Sequence, residues 1–412
     1  MTPFSRLLHL CLLATLLVAG SGRAWAVGAE AKTETPIIAA AVAVEAAEGR
    51  TRFKVTLSKA VVAQVHLMEA PDRVIVDLPE VAFHLPADTG RKQEGLIASY
   101  RYGLFAPGRS RVVMDLVQPA VVSALHVEQG LPGGAALLVI ELSRTDRNEF
   151  RRVAAENAPG ARTEVAQAPP GEVKDARPVI VIDPGHGGID PGAAAVSGVS
   201  EKDLVLSFGQ LLKKKLEAGG RYRVLMTRDE DVFVSLGDRV RAARNAKADL
   251  FISIHADSIS GAQEVRGLTV YTGSERASDA ESARLADREN NADAVAGIES
   301  GQGADEVLDI LQDLTLRETR TFSHSFANGL VGQLDTVARL NKNPRREAGF
   351  RVLRAHDVPS VLVELGYLSS KQDLDLIMSD AWRGKMVSAM SAAIDRFFAT
   401  RLARQGAAAV LP

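Results

Sequence analysis

Four residues in the second half of the chain have the types and positions that a hydrolytic metal site needs. Val179-Ile180-Val181-Ile182 is an apolar, β-branched run that reads as a strand buried on both faces. It breaks at Asp183-Pro184 into Gly185-His186-Gly187-Gly188, a glycine-rich loop presenting one histidine. Leu250 to Ile254 is a second apolar strand, ending on His255, and Ser360-Val361-Leu362-Val363 is another, ending on Glu364. Open α/β sheets bind ligands outside the carboxyl ends of their strands, so these side chains gather at one edge. Glu201 joins them from the first turn of the helix that Ser200-Glu201-Lys202-Asp203 opens. Two histidines and a carboxylate, with a fourth position left for water, are a recurrent catalytic zinc set. Zinc lowers the pKa of bound water from ~15.7 to ~7. A carboxylate must then take the proton and deliver it to the leaving amine, and Glu364 is the candidate.

Each residue alone is ordinary. An acid at a helix start is favoured by the helix dipole, and a lone histidine at a strand end is more often structural. A glycine-rich turn after a strand can cradle phosphate, but that needs glycines running straight into a helix that carries Lys-Ser or Lys-Thr. Here the loop continues to Ser200 and lacks such a lysine. The combination is what carries information.

The elements that must position these groups alternate between strand and helix. Leu204, Leu206, Leu211, Leu212 and Leu216 give the helix after Ser200 an apolar stripe, which Gly219-Gly220 ends. Tyr222 to Met226 is a strand, Ser235-Leu236-Gly237-Asp238 opens a helix running to about Asn245, and Asp380 to Phe398 is a closing helix. The pattern predicts an α/β catalytic domain, a mostly parallel twisted sheet flanked by helices, over about 178–400. Arg239 and Asn245 read as structural supports, and His324 and His356 as bystanders. An insert of about 272–320 is too long for a structureless loop in a compact domain. Ser278 to Ala296 and Asp305 to Leu316 within it carry helical signals.

Together, Val181 to Gly188, Ser200 to Asp203, Ser253-Ile254-His255-Ala256-Asp257 and Val361-Leu362-Val363-Glu364-Leu365-Gly366-Tyr367-Leu368-Ser369 resemble the zinc-dependent N-acetylmuramoyl-L-alanine amidases of type 3. The resemblance spans about Pro178 to Phe398. It implies that His186, Glu201 and His255 bind one Zn2+ and that Glu364 is catalytic. The implied substrate is peptidoglycan, cut at the amide between N-acetylmuramic acid and L-alanine of the stem peptide. In the cell-separation branch of this family, an inserted helix covers the cleft with an acid until an activator protein displaces it. Leu285 to Asp293 is the segment most similar to that helix, making Glu289 the candidate blocking acid, with Glu281 and Glu306 as alternatives. Two rival readings are a catalytically silent wall-binding scaffold, which would be expected to lose a ligand or the base, and a zinc peptidase acting within the stem.

The first half has a different character. Arg6, the apolar stretch from Leu7 to Gly20 and Ala24-Trp25-Ala26 make residues 1–26 a signal peptide for export to the periplasm, too short in its apolar part for a membrane span. Its removal takes Cys11, the single cysteine, and leaves 47 Lys and Arg against 51 Asp and Glu. That balance gives no general case for nucleic acid. From Pro36 to Leu142 period-2 patterns recur as two copies. Arg50 to Leu57 is echoed by Arg109 to Leu116, Ala60 to Leu67 by Ala120 to Val127, and Arg73 to Leu78 by Leu137 to Leu142. Two three-strand units predict a small β-sandwich over 27–143. Leu96 to Pro107 followed by Arg111 to Leu116 resembles the AMIN domain, which implies wall binding and septal localisation. Arg101, Arg109 and Arg111 are candidates to face an anionic glycan, although a solvated strand face explains them as well. His66 and His126 occupy equivalent repeat positions without partners at ligand spacing. Residues 144–177, with Ala168-Pro169-Pro170-Gly171, read as a linker whose first part is a short helix.

Overall fold

The structure, a computed structural model, describes residues 36–408 apart from 87–88, 130–133, 157–174, 176, 196–197, 260–264 and 299–309. The signal segment 1–26, most of the linker, Glu306 and the start of the second insert helix therefore lie outside the described residues.

Strands β1 (Ile37–Ala47), β2 (Arg50–Leu57), β3 (Gln64–Met68), β4 (Arg73–Pro79), β5 (Val81–Phe83), β6 (Ile97–Ala106), β7 (Arg109–Leu116), β8 (Ala120–Glu128) and β9 (Ala136–Arg144) form the first half. They lie in two sheets, ordered β5-β1-β2-β9-β8 and β3-β4-β7-β6. The repeat seen in the sequence pairs β2 with β7, β3 with β8 and β4 with β9, and the structure extends it to β1 and β6. Each sheet takes strands from both copies: β1-β2-β9-β8 in one corresponds to β6-β7-β4-β3 in the other. The copies thus exchange strands, and Phe53, Val55, Val76, Met114 and Ile140 meet in one core between the sheets. The equivalent histidines part company. His126 is exposed beside Glu128, whereas His66 is buried, and burial together with nearby Arg111 pulls its pKa down to about 4 against the pull of Asp77.

The first part of the expected linker belongs to this domain. Asp146 accepts hydrogen bonds from the backbone N–H groups of Asn148 and Glu149, capping α1 (Arg147–Glu156). Phe150 of α1 is fully buried in the sandwich core, an anchoring that the charged composition of the segment concealed.

The second half comprises β10 (Val179–Pro184), α2 (Glu201–Ala218), β11 (Arg223–Met226), α3 (Leu236–Asn245), β12 (Leu250–His255), β13 (Leu268–Gly273), α4 (Ala280–Asn290), α5 (Ala292–Val295), α6 (Ile310–Leu334), β14 (Leu340–Ala348), β15 (Ser360–Glu364), α7 (Lys371–Met378) and α8 (Asp380–Ala408). The sheet order is β11-β10-β12-β15-β13-β14. The first four strands in that order are parallel, and β13 runs antiparallel to β15. Ile180 and Ile182 pack beneath the α2, α6 and α8 layer, while Val179 and Val181 face the α3 and α4 side. The β-branched run is therefore buried on both faces, as its composition requires. Strand β14 and helix α7 were not legible. Strand β14 reads Leu-Asn-Lys-Asn-Pro-Arg-Arg-Glu-Ala and tolerates Pro344 because it is a sheet edge.

The two helix starts behave differently. Ser235 accepts a hydrogen bond from the Asp238 N–H at 3.1 Å, a working cap. At α2 the Ser200 hydroxyl instead donates to the Asp203 carboxylate and caps no backbone group.

Candidate metal centre

Register brings the reactive groups together. Strands β12 and β15 are parallel and place His255 opposite Glu364, while β10 reaches Ile254 with Pro184. The Gly185 N–H still donates to the Ile254 carbonyl, after which the chain turns away through His186, whose φ of 59° is in the left-handed region. A Cβ on residue 185 would lie 2.3 Å from Cε1 of His255, so only glycine lets the two histidines approach. Their rings sit 4.9 Å apart, edge to face.

His186 donates through Nδ1 to Asp190 at 2.9 Å, which fixes the ring and turns Nε2 inward. That Nε2 lies 3.2 Å from Glu201 and 3.5 Å from Glu289, and His255 Nδ1 lies 3.3 Å from Glu201 and 3.2 Å from Glu289. Both nitrogens are buried without a hydrogen-bond partner. Ligand atoms of His186, His255 and Glu289 all fall within 4.8 Å of one another. Glu201 is held in place by the N–H groups of Ala193 and Ala256, one on each oxygen. Two orphaned imidazole nitrogens facing carboxylate oxygens are a donor set that fits a zinc-type ion. The surrounding carboxylates favour positive charge in the cluster. Burial works against the charge on His186, but Glu201, Asp190 and Glu289 outweigh it and raise its pKa well above normal. Burial likewise opposes ionisation of Glu201, and the histidines hold it well below the usual carboxylate range.

A buried scaffold keeps the loop in shape. Asp183 accepts from Thr227, Ser253 and Arg239. Arg239 also donates to the carbonyls of Pro184, His186 and Val234, and Arg228 to those of Pro184, Gly185 and Lys202. Arg239 was legible as a support. Asp190 and Arg228 were not, although a carboxylate four residues after His186 was a usable signal.

Glu364 is fully buried. Its Oε2 accepts from the Asp257 N–H at 3.0 Å, and Oε1 has no partner. Burial first, then Asp257, Glu201 and Glu289, push its pKa well above the carboxylate range.

Glu289 reaches this cluster from the last turn of α4 and is itself buried. The segment from α4 through α5 is anchored on both sides. Arg288 pairs with Asp257, the Asn290 side chain bridges Gly349 O and Arg351 N, and Asp293 accepts from Leu236 N. Glu281 is elsewhere, bonded to Arg346 at 2.9 Å. His324 lies outside the cluster, near Thr272 and Glu347, and His356 neighbours Arg244. Arg109 is solvent-exposed, whereas Arg101 and Arg111 are not on an open surface. They donate to the carbonyls of Val295 and Ala296 in the second half.

Among the described residues, no helix is long and apolar enough to cross a membrane.

Comparison with known proteins agrees with the geometry. Residues 180–396 match the family model described as N-acetylmuramoyl-L-alanine amidase, and residues 41–135 match the AMIN domain. N-acetylmuramoyl-L-alanine amidase AmiC of Neisseria meningitidis is 33% identical over 383 residues, covering 86% of this chain and 89% of that protein. The AmiC of Escherichia coli is 30% identical over 411 residues, covering 95% and 97%. Among solved structures, the amidase AmiC2 of Nostoc punctiforme is 28% identical with a TM-score of 0.39, covering 54% of this chain and 97% of that one.

Proposed function

Since the chain belongs to the N-acetylmuramoyl-L-alanine amidase family and carries an AMIN domain ahead of its catalytic half, we propose that it is a zinc-dependent periplasmic peptidoglycan amidase that its own insert holds shut. The observation that carries this reading is the convergence of His186, Glu201 and His255 with Glu289 closing the fourth side. The bond cut would be the amide joining the lactyl group of N-acetylmuramic acid to L-alanine.

A zinc ion held by His186, Glu201 and His255 supplies Lewis acidity, favouring attack on the scissile carbonyl at neutral pH. The chain's own residues do the rest. Asp190 holds the His186 ring with Nε2 inward, and Arg239 and Arg228 keep its loop from moving. Glu364, with Oε2 pinned by the Asp257 N–H and Oε1 free, takes the proton of the attacking water and returns it to the departing L-alanine nitrogen. Glu289 stands where water and substrate must enter, so hydrolysis requires α4 to withdraw. A periplasmic activator of the division machinery would supply that displacement at the septum, where splitting the wall separates daughter cells.

Mass spectrometry of purified peptidoglycan digested by the zinc-loaded protein tests the reaction. Intact stem peptides bearing a free L-alanine amino terminus are expected. Cleavage between residues of the stem would replace this reading with a peptidase, and no soluble product after removal of the insert's block would leave a scaffold.

A further inference from the structure

The outer face of the β3-β4-β7-β6 sheet is not a solvent face. Arg73, Ile75 and Asp77 on β4 stand beside Arg111, Val113 and Asp115 on β7, in the register Arg73↔Asp115, Ile75↔Val113 and Asp77↔Arg111. Ile75, Val113 and Met68 are buried against Ile189, Phe233 and Ala296 of the catalytic half. Around this apolar centre two carboxylates aim three guanidinium groups. Asp115 holds Arg73 and Arg101, each at 2.6 Å, and Asp77 holds Arg111 through two bonds of 2.5 and 2.8 Å.

Their common target is the end of the segment that carries Glu289. Helix α5 closes with Gly297 at φ 74°, its N–H returning to Ala294 O and that of Ile298 to Asp293 O. This is the Schellman arrangement, and it leaves the carbonyls of Val295 and Ala296 without helical donors. Arg101 donates to Val295 O at 2.7 Å and Arg111 to Ala296 O at 2.9 Å, while Arg73 adds a bond to Ala294 O. Cations at a helix C-terminus are favoured by its dipole, and these bonds are charge-assisted and mostly shielded from water.

We infer that the β-sandwich is an intramolecular clamp: Arg73, Arg101 and Arg111 cap residues 294–296 and so hold the Glu289 helix in the closed site. A second contact joins the same sheet to the histidine loop. Leu104 O on β6 accepts from the N–H groups of Ile189 and Phe233, and Gly103 and Gly188 touch backbone to backbone. Sandwich, loop and blocking segment therefore form one packed unit, and opening α4 requires the arginine bonds to release. The role of closure rests on the proposed block by Glu289; the clamp itself concerns only what holds residues 280–298.

Hydrogen exchange of the full-length zinc-loaded protein tests it. In Arg101→Ala/Arg111→Ala, the amides of Val295 to Ile298 should exchange roughly tenfold faster or more, because two charge-assisted bonds to the segment are lost. Gly103→Val keeps every arginine and aspartate but places a Cβ 2.7 Å from the Gly188 carbonyl carbon, wedging the contact apart, and should have the same effect. Amides of β4 and β7 report in the same experiment whether the sheet is intact. Unchanged exchange at Val295 to Ile298 in either variant with an intact sheet overturns the clamp. The hydrolysis rate of Glu289→Ala separates the two ideas: no increase there, with exchange still raised in the clamp variants, removes the block and leaves the clamp.

Discussion

At the scale of single residues the proposed division of labour is between groups that hold a metal and one that moves a proton. His186 Nε2 and His255 Nδ1 are buried beside Glu201 and Glu289 without a hydrogen-bond partner, whereas Glu364 has one oxygen fixed and one free. Glu364→Gln should therefore lower hydrolysis by roughly 10²–10⁴ while the protein retains its wild-type zinc content by elemental analysis. His186→Ala should lose the metal together with the activity. Near-wild-type turnover by the glutamine variant would remove Glu364 from the chemistry. These positions were legible because they sit where apolar strands stop, so pattern and chemistry coincide. Arg101 and Arg111 were read by charge alone. The contrary signal was in the strands themselves: Val74-Ile75-Val76 and Val112-Val113-Met114 are apolar at both parities, which a strand with a solvated face does not need.

At the scale of elements, what makes the site is the loop after β10, and what makes the loop is a buried charge network. Asp183 is fully buried, with Arg239 as its cationic partner. Arg239→Ala should cost about 3–5 kcal/mol in stability, since it leaves that carboxylate uncompensated. Thermal unfolding with and without zinc checks this, and a loss below about 1 kcal/mol would mean that the network is not what shapes the loop. The strands of the parallel sheet were legible because burial on both faces leaves continuous apolar runs. Strand β14 was not, since an edge strand can be polar and carry proline. The internal repeat was legible as similarity, but its strand exchange between sheets was not, because identical period-2 patterns do not say which copy supplies a neighbour.

At the scale of the whole molecule, the sequence suggested two modules joined by a linker, and the structure joins them by contact as well. Helix α1 ties the linker's start to the sandwich, and the sandwich's outer sheet packs on Ile189, Phe233 and Ala296 of the catalytic half. On the proposed reading, a complete site is kept idle by Glu289. The measurement that bears on it most directly is the basal rate at which purified full-length protein, loaded with zinc and without any partner, releases product from peptidoglycan, compared between wild type and Glu289→Ala. Autoinhibition predicts a severalfold faster rate for the variant; an equal or slower rate in a folded, zinc-loaded variant would contradict it.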